Sequence, residues 1–276
     1  MSLKKLPQIN AKAPHGVNFD APSDALARWD SSVAAAKSDS ATITMYDAIG
    51  EDPWSDGGVT AKRVAAALRS IGDREVTVSI NSPGGDFFEG IAIYNLLREH
   101  PHKVTVKVVG LAASAASIIA MAGDEIQVAR SGFLMIHNAW AVVIGNRNDL
   151  TDAAEVMAGF DDAMADLYAQ AAGISKATAA RMMDEETWLT GPEAVGAGFA
   201  TSLLPADEVA EENTSTGRSK AAIRKVETLL AKQGLPRSER RDLLRQIKGM
   251  PGAAHVTPSA DIIEAIKSLT KTYRGH

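Results

Sequence analysis

Two periodicities of hydrophobic and polar residues follow one another along residues 41–205. Short runs of β-branched and other apolar residues predict strands at Ala41–Ala48, Glu75–Ile80, Val104–Val109, Ile126–Ala129 and Phe133–His137. Apolar residues at helical spacing predict helices at Val59–Ser70, Phe87–Glu99, Ala112–Ala122, Asp149–Ala172, Ser175–Met183 and Pro192–Gly198. Strands that alternate with helices are typical of an α/β fold with a mainly parallel sheet.

The two ends of the chain have a different texture from this central part. Residues 1–40 are polar and rich in Ala and Ser, so we expect a partly disordered arm with one short helix at Ser23–Ala36. After a polar linker, amphipathic patterns predict tail helices at Lys220–Gln233, Pro236–Lys248 and Asp261–Tyr273. The sequence therefore predicts an arm (1–40), a central α/β domain (41–205) and a helical basic appendage (206–276).

Composition and charge exclude several classes of protein. The hydrophobic fraction of 45% and the charged fraction of 23% are those of an ordinary globular protein. The net charge of -5 makes nucleic acid an unexpected partner, although residues 206–276 hold 13 Lys and Arg against 9 Asp and Glu. No apolar run reaches the roughly 18 residues of a membrane span, and the N-terminus lacks the apolar core of a signal peptide. We therefore expect a cytoplasmic protein with no membrane partner.

The complete absence of cysteine narrows the chemistry further. It excludes disulfides, zinc–cysteine sites, iron–sulfur sites and a cysteine nucleophile, so serine is the first nucleophile to consider. Ser114 stands between a predicted strand that closes at Gly110 and a small-residue helix, near a helix N-terminus where a developing negative charge is stabilised. A buried Ala/Ser-rich helix packed on the sheet is the alternative interpretation of the same segment.

Three further features lie at element boundaries of the same domain. His137 ends a strongly apolar strand, which suits a rigidly held general base or a buried core histidine. Gly84 and Gly85 follow a strand, where they permit close backbone approach to a ligand or form a plain turn. The acidic run 184–186 can supply a carboxylate that orients a histidine, or it is a solvated helix end.

In combination and in this order, four segments resemble the Clp protease proteolytic subunit (ClpP) family of serine peptidases over roughly residues 41–205. The matching segments are Asn81-Ser-Pro-Gly-Gly, Gly110-Leu-Ala-Ala-Ser114, Met135-Ile-His137 and Trp188-Leu-Thr-Gly-Pro-Glu193-Ala-Val-x-x-Gly198. The resemblance implies the ClpP/crotonase-type α/β fold with flanking helices and a protruding handle helix, which would be Asp149–Ala172. It also implies a ring-like homo-oligomer and a polypeptide substrate, with no metal or organic cofactor.

The resemblance also assigns roles to individual residues. Ser114 would be the nucleophile and His137 the general base, while the N–H groups of Gly85 and Ala115 would form the oxyanion hole. The position of the family's catalytic Asp is held here by Glu186, and Asp184 is the fallback acid. The residue after the nucleophile is Ala rather than Met, and Asn138 and Ala139 replace the family's Gln and Pro after the histidine.

Within the family, the chain looks most like the branch of tailed-phage prohead, or capsid-maturation, proteases. The Glu-Thr-Trp-Leu-Thr segment, the long arm and the basic tail with Ser238-Glu-Arg-Arg-Asp-Leu-Leu are similar to that branch. We therefore expect a serine endopeptidase that processes scaffold or coat protein, in the host cytoplasm or inside the prohead. Docking of an unfoldase stays open. A crotonase-type acyl-CoA enzyme, or a non-catalytic assembly protein on a peptidase fold, are the alternatives.

Overall fold

The computed structural model describes residues 17–19, 21–31, 33–35, 40–51, 58–205, 209–211 and the single positions 230 and 243. The chain forms two compact units, residues 1–212 and residues 213–276. In the second unit only positions 230 and 243 are described, and both are helical. The predicted tail helices otherwise lie outside the described residues, and the three predicted domain boundaries stay a prediction.

The first unit is built on a twisted, mostly parallel sheet. Its strands are β3 (Thr42–Met45), β4 (Val76–Ser82), β5 (Val104–Ala113), β6 (Glu125–Ala129), β7 (Phe133–Ile136), β9 (Thr187–Thr190) and β10 (Ser202–Leu204). The spatial order is β10-β6-β5-β4-β3, with β7 paired to both β5 and β9. Every pairing is parallel except β7 with β9. The two central strands β4 and β5 are largely buried, as is typical of parallel sheets.

The crossover helices begin and end where the local sequence provides caps. Helix α2 (Ala61–Ile71) begins at Thr60, whose side chain accepts a hydrogen bond from the Arg63 N–H. Helix α3 (Phe87–Glu99) is capped by Asp86, whose carboxylate accepts hydrogen bonds from the N–H groups of Phe88 and Glu89. Helix α4 (Ala115–Ala120) is short and entirely buried.

A long helix and a returning helix follow the parallel core. Helix α5 (Arg147–Ala172) spans 26 residues, or about 39 Å, from a capping box at Asn146 to a left-handed Gly173. Its first half is mostly exposed, while its second half packs in the core. Helix α6 (Lys176–Asp184) then runs back against α5, and α7 (Gly191–Gly196) follows β9.

Small elements from the N-terminal part of the chain join this unit. Strand β1 (Val17–Phe19) pairs antiparallel with β8 (Ala141–Val143), and β2 (Val33–Ala35) pairs antiparallel with β11 (Val209–Glu211). Between them lies α1 (Ser23–Arg28). The predicted helix begins at Ser23 as expected, but it ends at Arg28 and not at Ala36, because residues 33–35 are extended.

The predicted fold class is confirmed, with corrections to individual elements. Strand β5 continues through Gly110 to Ala113, because residues 111–113 pair with β7. Helix α4 is consequently shorter than the predicted Ala112–Ala122. The Thr187–Thr190 segment forms a strand that the sequence did not predict. No helix in the described part of the chain combines the length and the apolar character that crossing a membrane requires.

Candidate active site

Three neighbouring parallel strands end at one edge of the sheet, and each is followed by a predicted site residue. Strand β4 leads into the Gly84–Gly85 turn, β5 leads into Ser114, and β7 leads into His137. Because parallel strands point their carboxyl ends to the same edge, residues far apart in sequence meet there. Gly85, Ser114, Ala115 and His137 all line the same cavity.

Ser114 is held in an unusual backbone conformation. Its φ of 54° and ψ of -126° lie in a region that residues with a side chain seldom adopt. The surroundings over-determine this conformation, because the Ser114 N–H donates to the Met135 carbonyl at 3.0 Å and its own carbonyl accepts the Ser117 N–H at 2.8 Å. The turn places Ser114 directly before the first residue of α4, Ala115.

His137 meets Ser114 directly. Its Nε2 lies 2.7 Å from the Ser114 Oγ, and the residue is only 6% exposed. Burial lowers the pKa of His137 from its ordinary value of 6.5 to about 4, and the negative charge of Asp24 opposes this lowering. The imidazole is therefore neutral at pH 7, which is the state that can accept the serine proton.

The glycine turn brings a backbone N–H to the same cavity. The Ile49 N–H donates to the Gly84 carbonyl, and the Asp86 N–H donates to the Ile49 carbonyl, both at 2.9 Å. In a parallel bridge of this kind the N–H of Gly85 points away from Ile49, and Gly85 is one of the residues that line the cavity. A Cβ on Gly85 would lie 2.2 Å from the Ile49 carbonyl oxygen, so the approach requires glycine.

The cavity itself is small and largely apolar. It encloses about 10 Å³, which is room for one water molecule. Besides the polar groups above, apolar side chains of α3, α4 and α5 and of the segment after His137 line it: Phe87, Ile118, Met164 and Trp140. A reacting carbonyl placed here would lie against Ser114 and His137, in a cavity that Gly85 and Ala115 also line.

The two acids that we expected to complete a triad with Ser114 and His137, Glu186 and Asp184, make no hydrogen bond to the histidine. The antiparallel register pairs Thr187 of β9 with Ile136 of β7. The backbone of Glu186, one residue before Thr187, therefore lies opposite His137, one residue after Ile136. However, the backbone at Glu186 turns to a φ of 48° and its side chain is exposed. Asp184 accepts a hydrogen bond from Asn138 Nδ2 at 2.8 Å. Neither acid is hydrogen bonded to His137 within the described residues.

Two groups near the site escaped the sequence interpretation. The Tyr168 hydroxyl lies 2.8 Å from Ser117 Oγ, which in turn donates to the Ser114 carbonyl at 2.7 Å. Asp161 accepts the Ala139 N–H at 2.6 Å, and burial raises the pKa of this carboxyl above its ordinary value. Both Tyr168 and Asp161 come from α5, and only their helical spacing from Met164 hinted at a shared face.

The described residues contain no cluster of side chains that could bind a metal ion. Across residues 17–211, wherever they are described, no group of three or more His, Asp or Glu side chains is arranged to hold a metal ion.

Comparison with known proteins agrees with this arrangement. The family model described as Clp protease matches residues 40–207. The ATP-dependent Clp protease proteolytic subunit of Deinococcus radiodurans is 28% identical over 134 residues, which are 48% of this chain and 66% of that protein. Proteolytic subunit 1 from Protochlamydia amoebophila is 30% identical over 178 residues, which are 63% of this chain and 84% of that protein.

A solved structure shows the same fold. A ClpP1 mutant from Listeria monocytogenes superposes with a TM-score of 0.51 at 22% identity, covering 64% of this chain and 94% of that one. The family match spans more than half of the chain and includes both Ser114 and His137. The chain therefore belongs to the Clp protease family.

Proposed function

We propose that this protein is a serine endopeptidase in which Ser114 is the nucleophile and His137 the general base. The observation that carries the proposal is the 2.7 Å contact between Ser114 Oγ and His137 Nε2 in a buried cavity. The names of the relatives, proteolytic subunits of a Clp protease, support the same class of reaction.

The residues of the cavity supply each step of peptide hydrolysis. The Ser114 Oγ attacks the scissile carbonyl as His137 Nε2 takes its proton, and the carbonyl oxygen becomes an oxyanion. The N–H groups of Gly85 and Ala115 donate hydrogen bonds to that oxyanion. The protonated His137 then gives its proton to the leaving amine. A water molecule, deprotonated by the same histidine, hydrolyses the acyl-enzyme and frees the serine.

The low pKa of His137 affects both proton transfers in this mechanism. At pH 7 the imidazole is neutral and can accept a proton, but burial weakens it as a base and makes the imidazolium that forms in the transition state costly. A nearby negative charge therefore has more to contribute than it would at an exposed histidine.

The biological setting extends the proposal. The Glu186-Thr-Trp-Leu-Thr segment, the N-terminal arm and the basic tail support a role in phage head maturation, with scaffold or coat protein as the polypeptide substrate. Exposed apolar side chains at Leu150 and Val156 on α5 support pairing between subunits in a ring-like homo-oligomer. The relatives are named as subunits of an ATP-dependent protease, so a separate unfoldase is a partner to test.

Labelling by a fluorophosphonate tests the nucleophile. We expect the probe to modify Ser114 and we expect Ser114→Ala to abolish both labelling and cleavage of a co-expressed coat or scaffold protein. The matched control is Ser79→Ala, because Ser79 is a buried serine of β4 whose hydroxyl has no partner among the described residues. Labelling of Ser114→Ala at the wild-type rate would place the nucleophile elsewhere.

The same variant separates the acyl-CoA alternative. A crotonase-type enzyme needs the two backbone N–H donors but not a serine–histidine pair, so Ser114→Ala would leave turnover of an acyl-CoA intact. The direct contact between Ser114 and His137 favours the peptidase. A non-catalytic assembly protein would show neither labelling nor processing.

A further inference from the structure

Helix α1 lies outside the part of the chain that the family model matches, yet it packs onto the strands that carry the candidate site. Ala25 is fully buried in a cluster with Leu111, Ala113 and Met135. Ala113 immediately precedes Ser114, and Met135 precedes His137 by two residues. The helix therefore rests on β5 and β7 where these strands end at the site.

Contacts with two further strands fix the position of α1 and the residues after it. The Trp29 Nε1–H donates to the Asn81 carbonyl at 3.0 Å, and Asn81 Nδ2 donates back to the Asp30 carbonyl at 2.6 Å. The guanidinium carbon of Arg28 lies 4.2 Å from the centre of the Trp188 ring. Helix α1 is thus tied to β4 and β9 as well as to β5 and β7.

Asp24 is the acidic residue in the first turn of this helix, next to the fully buried Ala25. Its side chain is half-buried, and its negative charge is the one that acts on His137 against desolvation. The docking of α1 explains why a residue more than 100 positions away in sequence acts on the histidine at all.

Other charged groups around His137 are engaged elsewhere or directed to solvent. Arg28, on the same helix, lies over the Trp188 ring. Asp184 at the end of α6 accepts from Asn138, and Asp161 on α5 accepts the Ala139 N–H, so both hold the segment after the histidine. Glu186 is exposed.

We propose that Asp24, on the helix that precedes the family domain, is the positioning residue whose carboxylate stabilises the imidazolium of His137 during acyl transfer. It does so in place of the acid expected at Glu186 or Asp184. The inference rests on the proposed function, since it assigns a role in the same reaction. It adds an N-terminal element to a site whose proposed nucleophile, base and oxyanion donors lie between residues 85 and 137.

The test compares the full-length variants Asp24→Asn, Asp24→Glu, Glu186→Gln and Asp184→Asn. The rate constant for fluorophosphonate labelling of Ser114 is measured from pH 4 to pH 9. We expect Asp24→Asn to lower the plateau by about tenfold, Asp24→Glu to restore part of the rate, and the other two variants to stay within about twofold of wild type. The inference is overturned if Glu186→Gln loses the rate while Asp24→Asn keeps it, or if all three amide variants match wild type.

A second readout follows the histidine itself and does not depend on turnover. In the Ser114→Ala background, the pKa of His137 is measured by NMR titration of its ring with and without Asp24→Asn. Removing a negative charge disfavours the protonated imidazole, so we expect the pKa of His137 to fall further. An unchanged pKa refutes the inference. Absence of labelling in the wild-type protein refutes the peptidase proposal instead, and the NMR titration still decides the role of Asp24.

Discussion

Replacing Gly85 with alanine tests the oxyanion hole at its most constrained point. Gly85 has a φ of 150°, and an added Cβ would lie 2.2 Å from the Ile49 carbonyl oxygen and 3.0 Å from the Ile49 nitrogen. Neither atom can move away cheaply, because both belong to a backbone bridge. The chain must therefore shift at residue 85, and the 2.9 Å bond from the Asp86 N–H to Ile49 is the first one to break.

Two effects of different size follow from this shift. Backbone strain and the lost hydrogen bond are expected to lower the free energy of unfolding by about 1–3 kcal/mol. Displacement of the Gly85 N–H removes one donor to the oxyanion, which is expected to lower the acylation rate by about 100- to 1,000-fold. The rate of labelling is thus far more sensitive to Gly85→Ala than the stability is.

The assay measures fluorophosphonate labelling of Ser114 and urea unfolding for each variant, at a temperature where all variants are folded. Gly159→Ala is the matched control, because Gly159 is an exposed position of α5 where an added Cβ meets nothing within 4 Å. We expect this control to gain up to about 1 kcal/mol of stability from helix propensity and to keep the wild-type rate. A folded Gly85→Ala protein that labels at the wild-type rate would show that the Gly85 N–H is not an oxyanion donor.

Three further predictions concern the groups around the nucleophile and the core. Tyr168→Phe removes the hydroxyl that lies next to Ser117. We expect this variant to lose about 1 kcal/mol in the free energy of unfolding, and to have a lower kcat with little change in KM. An unchanged kcat would show that this chain of hydrogen bonds does not position the nucleophile. Because burial lowers the pKa of His137 from 6.5 to about 4, the unfolded chain binds more protons than the folded one between these values, so stability falls as the pH drops through this window. The loss reaches about 3 kcal/mol below pH 4, and urea unfolding of His137→Gln at several pH values should lack this component. The Asp124 side chain is 3% exposed and pairs with Arg98 at 3.5 Å. Asp124→Ala removes the acid from this buried ion pair, so we expect it to lower the free energy of unfolding by about 3 kcal/mol. A loss of less than about 0.5 kcal/mol in thermal unfolding, as for a surface substitution, would contradict that reasoning.

The parallel core was predictable because its signals are local. Val104–Val109 is a β-branched run, and Phe87–Glu99 combines an N-cap with apolar residues at helical spacing. The strand end was harder to place, since Gly110 marks a break in the pattern but not in the pairing. Residues 111–113 find a new partner in β7 after β6 has ended, and such a change of partner leaves no trace in the sequence of one strand.

The candidate site likewise contains residues that the sequence predicted and residues that it could not predict. Ser114, His137 and the Gly84–Gly85 turn each stand directly after a strand, so element order alone was enough to bring them together once the sheet was parallel. Tyr168 and Asp24 could not be found by this reasoning. The first depends on which face of a 26-residue helix packs inward, and the second depends on a helix that docks from outside the domain.

The acid expected at Glu186 shows that a correctly predicted strand register does not by itself identify the residue that acts on His137. Pairing of Thr187 with Ile136 continues to Glu186 beside His137, so the interpretation of the Trp188-Leu-Thr segment located the backbone well. A side chain, however, follows its own φ and ψ. At φ 48° the strand has already turned away, and the Glu186 carboxylate is exposed. A helix docked over the same strand ends offers another route for a carboxylate to act on the histidine, and Asp24 is placed on that route. A family motif can therefore mark where an acid belongs while the chain obtains the charge from an element that the motif does not include.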